Sequence, residues 1–193
     1  EKIIPAYIDL DQYFTAVYLP FSRETFGLYD LPNGYEWYEH LANSHTTTEL
    51  TPNEIHEIGL NEVTRIKQEM MKIIESLDWQ GSFDDFLHFL RTDPQFYYET
   101  KEELFQAYLA TTKKIDPLTV KLFETLPRAP YGIKAIPKES APDTTTAYYM
   151  SPSPDGSRAG YFYVNLYRPE VRPKYEIEVL SVHEAVPGHH LQI

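Results

Sequence analysis

Pro187 and Gly188 interrupt what otherwise reads as the start of a metal-binding helix. The stretch runs Ser181-Val182-His183-Glu184-Ala185-Val186-Pro187-Gly188-His189-His190-Leu191 and on to Ile193. A His-Glu pair followed closely by a second His offers two imidazoles to a divalent metal and a carboxylate as general base. The usual spacing puts the second His at i+4, because i and i+4 share a helix face. Here that place is held by Pro187, which cannot ligate, and the next histidines stand at i+6 and i+7.

On an unbroken helix His189 would lie roughly 9 Å along the axis from His183 and about 120° around it. Two nitrogens on one tetrahedral zinc must approach to about 3.3 Å. A regular helix therefore forbids the pair. Proline removes a backbone donor and clashes with the preceding turn, and glycine tolerates unusual dihedrals. Together they predict a bulge of two extra residues that returns His189 to the i+4 place. His183 and His189 are then the expected metal ligands, and Glu184 the expected general base. His190 becomes a supporting or substrate-facing group. The bland alternative is a surface helix end with stray histidines. The coincidence of the His-Glu pair, the Pro-Gly step and the double His argues against it.

These residues also carry a resemblance. H-E-A-V-P-G-H-H-L-Q resembles the signature of the bacterial domain-of-unknown-function family numbered 885. Leu31-Pro32-Asn33-Gly34, His45-Thr46-Thr47, Ile58-Gly59-Leu60, and Asp155-Gly156-Ser157-Arg158 through Asn165 are similar to that family too, so the resemblance covers nearly the whole chain. It implies a zinc-peptidase-like protein of the zincin group, in which a downstream Glu is the third ligand. In related peptidases the second ligand follows a Gly, as His189 follows Gly188. The family's later motif, of the form E-G-W-A, is not found before Ile193. The resemblance therefore implies a piece of a longer protein, with the third zinc ligand a Glu beyond residue 193. The piece alone is expected to bind zinc weakly or not at all and not to hydrolyse peptides.

Partners are narrowed by charge and composition. A net charge of −12 argues against nucleic acid. The chain has no cysteine, which excludes disulfides and thiolate metal sites. No apolar run is long enough to span a membrane. Compartment stays open between bacterial cytoplasm and a secreted or periplasmic place.

Residues 1–126 read as a helical body. Ile3, Tyr7, Leu10, Phe14 and Val17 recur at helical spacing up to Pro20 and predict a buried face. Thr51-Pro52-Asn53-Glu54 is a helix start with a capping box, and the helix should run to Leu77. Its expected inward residues are Ile55, Ile58, Val63, Ile66, Met70, Ile73 and Leu77. Ser82 opens a helix over 83–91, and Thr100 with Glu103 caps one to Lys114. Asp116-Pro117 starts another, to Leu126.

Residues 127–193 change character, with dense prolines and β-type runs at 132–136, 145–150 and 160–166. They predict a small antiparallel sheet with a hairpin, followed by the metal helix from Tyr175. That helix should pack down through Ile177, Leu180 and Val182. The fold class is therefore α+β, mainly α. Tyr161, Tyr163 and Asn165 alternate with Phe162, Val164 and Leu166. In zinc peptidases of this type an edge strand beside the metal helix pairs with the bound peptide. The strand at 160–166 is the candidate, with Tyr161, Tyr163, Asn165 and Arg158 as possible substrate contacts.

The expected function is peptide hydrolysis with zinc as cofactor, in the parent protein. The expected partners are a peptide substrate and the remainder of the parent chain. Two rivals stay open: a non-catalytic peptide-binding pseudopeptidase, and a metal-dependent amide or ester hydrolase.

Overall fold

Three reciprocal capping boxes start three of the helices. Thr51 and Glu54 open α3 (Pro52–Ser76), Ser82 and Asp85 open α4 (Phe83–Thr92), and Thr100 and Glu103 open α5 (Lys101–Ile115). In each, the hydroxyl accepts from the backbone amide three residues on, and the acidic side chain accepts from the cap's own amide. Such caps are worth about 1 kcal/mol each and fix the chain position at which a helix begins. The structure is a computed structural model that describes residues 2–193. Its contacts divide the chain into two units, Glu1–Leu77 and Asp78–Ile193. The break falls within the expected helical body 1–126, because α5 packs on the sheet and on the motif helix.

The first unit holds α1 (Ile3–Tyr13), α2 (Gly34–Thr46) and α3. After Tyr13 the chain widens to a π-helical turn over Phe14–Tyr18, then tightens to a 3-10 turn at Leu19–Phe21, where Pro20 sits. The predicted buried face of α1 is not buried. Ile3, Tyr7, Leu10, Phe14 and Val17 are all exposed, as are Ile58, Val63, Ile66, Met70, Ile73 and Leu77 of the α3 stretch. Periodicity shows that a helix has an apolar side. It does not show what lies against that side, and among the described residues of this unit only Gly34 and Ile74 are buried.

The second unit carries α4, α5, a three-stranded sheet, α6 (Ile177–Glu184) and α7 (His189–Gln192). The strands are β1 (Tyr131–Ala135), β2 (Ala147–Met150) and β3 (Gly160–Val164). The helix expected from Asp116-Pro117 to Leu126 is instead a 3-10 helix, Asp116–Lys121, that stops short of Leu126. The sheet is mixed rather than wholly antiparallel. β2 and β3 form the hairpin, while β1 joins the far side of β3 in parallel, giving the order β1-β3-β2. The strand expected at an edge is thus the central one. Both its sides are already paired, so β3 has no free main-chain edge for a peptide.

The core lies between one sheet face and the helices. Phe162 and Val164 from β3, Ala147 from β2, Leu104 and Tyr108 from α5, and Ile177 and Ala185 from the motif region form one buried cluster. Tyr108 and Phe162 meet edge-on, with ring centroids 5.6 Å apart. Burying a large side chain of this kind contributes about 1.5–3 kcal/mol. Ile177 and Leu180 dock α6 as predicted, whereas Val182 is exposed. Among the described residues no helix is long and apolar enough to cross a membrane.

Candidate metal centre

The motif helix α6 ends at Glu184, and α7 starts at His189. Between them Ala185 (φ −99°, ψ −105°) and Gly188 (φ −58°, ψ −127°) leave helical geometry, with a cis Val186-Pro187 bond. The Gly188 amide donates to the Val182 carbonyl at 2.9 Å, and the His190 amide to the Ala185 carbonyl at 3.1 Å. An α-helix would bond residues four apart. Here the first bond spans six, so two residues are looped out and the helical path resumes. A Cβ at Gly188 would stand 1.8 Å from the His183 carbonyl oxygen, which is why glycine occupies the position.

The bulge brings His183 and His189 face to edge, with ring centroids 4.9 Å apart and planes at 88°. One ligand atom from each of His183, Glu184 and His189 lies within 4.8 Å of the others. Glu184 Oε2 is 3.9 Å from His189 Nε2. The Glu184–His189 spacing is wider than the about 3.3 Å between ligands sharing a tetrahedral zinc. The three residues make a donor set rather than a closed cage. His183 is exposed, His189 half-buried and Glu184 buried. The Glu184 side chain is 10% exposed, and among the described residues no hydrogen-bond donor is paired with it. Two imidazoles and a carboxylate are donors that zinc accepts, so the residues present fit the ion.

His190 points elsewhere. It is buried, hydrogen-bonded through Nδ1 to the Tyr149 hydroxyl at 2.7 Å, and packed on the Tyr131 ring at 5.0 Å. Tyr131 in turn donates to Asp116 Oδ1. Burial lowers the His190 pKa, opposed by a backbone hydrogen bond at Ala129 and by the Asp116 charge. Burial also raises the Tyr131 pKa, helped by its bond to Asp116. His190 is therefore held by Tyr149 and packed on Tyr131.

The strand residues fare differently from expectation. Tyr161 and Tyr163 lie on the sheet face opposite Phe162 and Val164, away from the core cluster that holds Ala185. There Tyr163 stacks on Tyr148 at 4.8 Å, and Lys134 sits over Tyr161 at 3.6 Å. Asn165 is 1% exposed. Its Nδ2 donates to the Ala141 and Thr145 carbonyls, and its Oδ1 accepts from the Tyr167 amide. That set of bonds closes a loop and leaves nothing for a substrate. Arg158 is exposed in the β2–β3 connection, close enough to Tyr149 to counter the upward push of burial on its hydroxyl.

The residue that sequence reasoning missed is Tyr149. It pairs with Phe162 across the hairpin, which puts it on the motif side of the sheet. Its ring lies 21° from the plane of His189, centroids 6.3 Å apart. The available signal was Gly160, a glycine opening an aromatic strand, which marks close approach of another group.

Over residues 1–193 the chain matches the model of a family described as bacterial protein of unknown function (DUF885). Among solved structures it is similar to one described as a putative lipoprotein from Colwellia psychrerythraea, with 30% identity and a TM-score of 0.88. That match covers 97% of this chain and 33% of the other, so this chain spans about a third of that protein's length. No curated protein matches.

Proposed function

This chain belongs to the DUF885 family of bacterial proteins of unknown function, and for it we propose metal-dependent hydrolysis of peptide bonds at the His183–Glu184–His189 cluster. The observation that carries the reading is Glu184: a buried carboxylate without a hydrogen-bond donor, flanked by two imidazoles that a two-residue bulge brings together. His183 and His189 hold the ion. Zinc is the ion that this donor set suits best, and bound there it supplies Lewis acidity toward a scissile carbonyl. Glu184 accepts the proton of the attacking water and delivers it to the amine nitrogen as the C–N bond breaks. General base catalysis of this kind typically contributes a factor of about 10²–10⁴. A third protein ligand completes such sites, and we assign it to a glutamate of the parent protein outside residues 2–193.

Two readings of one preparation test the proposal. The intact protein is dialysed and its metal content measured, and its action on a mixed peptide library is followed by mass spectrometry. Stoichiometric zinc with new peptide termini supports the proposal. Bound zinc without cleavage of any peptide, or no retained ion, ends it.

A further inference from the structure

We propose that Tyr149 is a positioning residue for the His189 imidazole and that Gly160 provides its seat; the proposal rests on His183 and His189 being metal ligands. Helix α7 has only four residues, and Gly188 gives it no side-chain cap. A helix that short does not hold its own direction. Main-chain bonds from Gly188 to Val182 and from His190 to Ala185 tie it to α6. Neither bond fixes the rings of His189 and His190.

The sheet supplies what α7 lacks. Tyr131 from β1 and Tyr149 from β2 both contact the His190 ring, at centroid separations of 5.0 and 5.9 Å. The Tyr149 hydroxyl is hydrogen-bonded to Nδ1, and the same ring runs nearly parallel to His189. Between these two strands β3 contributes Gly160, in register with Tyr131. A Cβ on Gly160 would fall 2.0 Å from the Tyr149 hydroxyl oxygen and 2.8 Å from the ring carbon that bears it. The hydroxyl thus occupies the space that a side chain would fill. An ordinary residue at 160 would push Tyr149 off His190 and free the α7 rings. Losing a group bonded directly to a ligand typically weakens metal binding about 10–100-fold; the Tyr149 hydroxyl is bonded to His190, the neighbour of the ligand His189, so its effect is smaller.

The test compares Tyr149→Phe, Gly160→Ala and the double variant in the intact protein. Zinc affinity is measured by chelator competition, the site geometry by the visible spectrum of bound Co²⁺, and the hold on α7 by amide exchange of His190 in metal-free protein. Each single variant is expected to bind zinc more weakly, by up to about 10-fold, to shift the Co²⁺ bands and to exchange faster at His190. The double variant should be no weaker than the weaker single, since both remove one bond. Unchanged affinity, bands and exchange in Tyr149→Phe overturn the proposal and leave the metal assignment standing. A wild-type protein that binds neither ion overturns both. Global unfolding of Tyr149→Phe makes Tyr149 a residue of the fold and also overturns it.

Discussion

The Gly188 amide nitrogen lies 2.9 Å from the Val182 carbonyl oxygen, six residues back along the chain. This bond closes the bulge and sets His189 against His183. A side chain at 188 has no room, because the His183 carbonyl oxygen would be 1.8 Å from its first carbon. Gly188→Ala is therefore expected to destabilise the protein by about 1–3 kcal/mol, the usual range for forcing atoms into a packed site. Zinc binding should fall with it. Thermal unfolding and metal content, read together, check this.

Glu184→Gln removes the base and keeps the shape. Turnover is expected to drop by about 10²–10⁴-fold while zinc stays bound. Near-normal turnover, or loss of the metal, would contradict the assignment of Glu184.

Deleting Pro187 and Gly188 together leaves His183 and His189 four apart on a regular helix. Metal binding should survive in weakened form, because i and i+4 share a face. Activity should fall, since His190 would leave its place between Tyr131 and Tyr149. Metal content and peptide turnover of the deletion variant separate the two effects.

Asn165 is bonded on all sides inside the fold. Asn165→Leu strands the Ala141 and Thr145 carbonyls and the Tyr167 amide. Each unsatisfied buried group costs about 1–3 kcal/mol. A fall in denaturation midpoint with an unchanged KM is expected. A changed KM at full stability would restore Asn165 as a substrate contact.

The Ser153 hydroxyl, with the Ser157 amide and hydroxyl, holds the Asp155 pKa down at about 2. A depressed carboxylate stabilises the turn at pH values above its ordinary value of 3.8, and that support is lost as pH falls through about 2. The Ser157 amide resonance should therefore titrate with a midpoint near 2. A midpoint near 4 would show that the turn does not hold the carboxylate.

The parts legible in the sequence are those set by neighbours along the chain. Thr51, Ser82 and Thr100 start helices because each cap needs only a residue three places on. The two-residue bulge follows from Pro187 and Gly188 against a helix that otherwise continues. Alternation along β3 gave two faces correctly, but alternation carries no information on strand neighbours. So the parallel β1 pairing and the central place of β3 went unread, and with them the failure of Tyr161 and Tyr163 to face the motif. Tyr149 was missed for the same reason, since its partner His190 lies far along the chain. The apolar stripes of α1 and α3 mark helix sides, and nothing local states what covers them.

The strand order has a consequence for how the ribosome delivers this sheet. β1 and β2 are consecutive in the chain yet share no hydrogen bond, because β3 lies between them. A chain synthesised only as far as Met150 carries two strands that both await the same partner. Gly160–Val164 then pairs with the two at once, β2 through the shorter connection and β1 through the longer. The seat for the second imidazole, Tyr149 against Gly160, is complete only once β3 has joined.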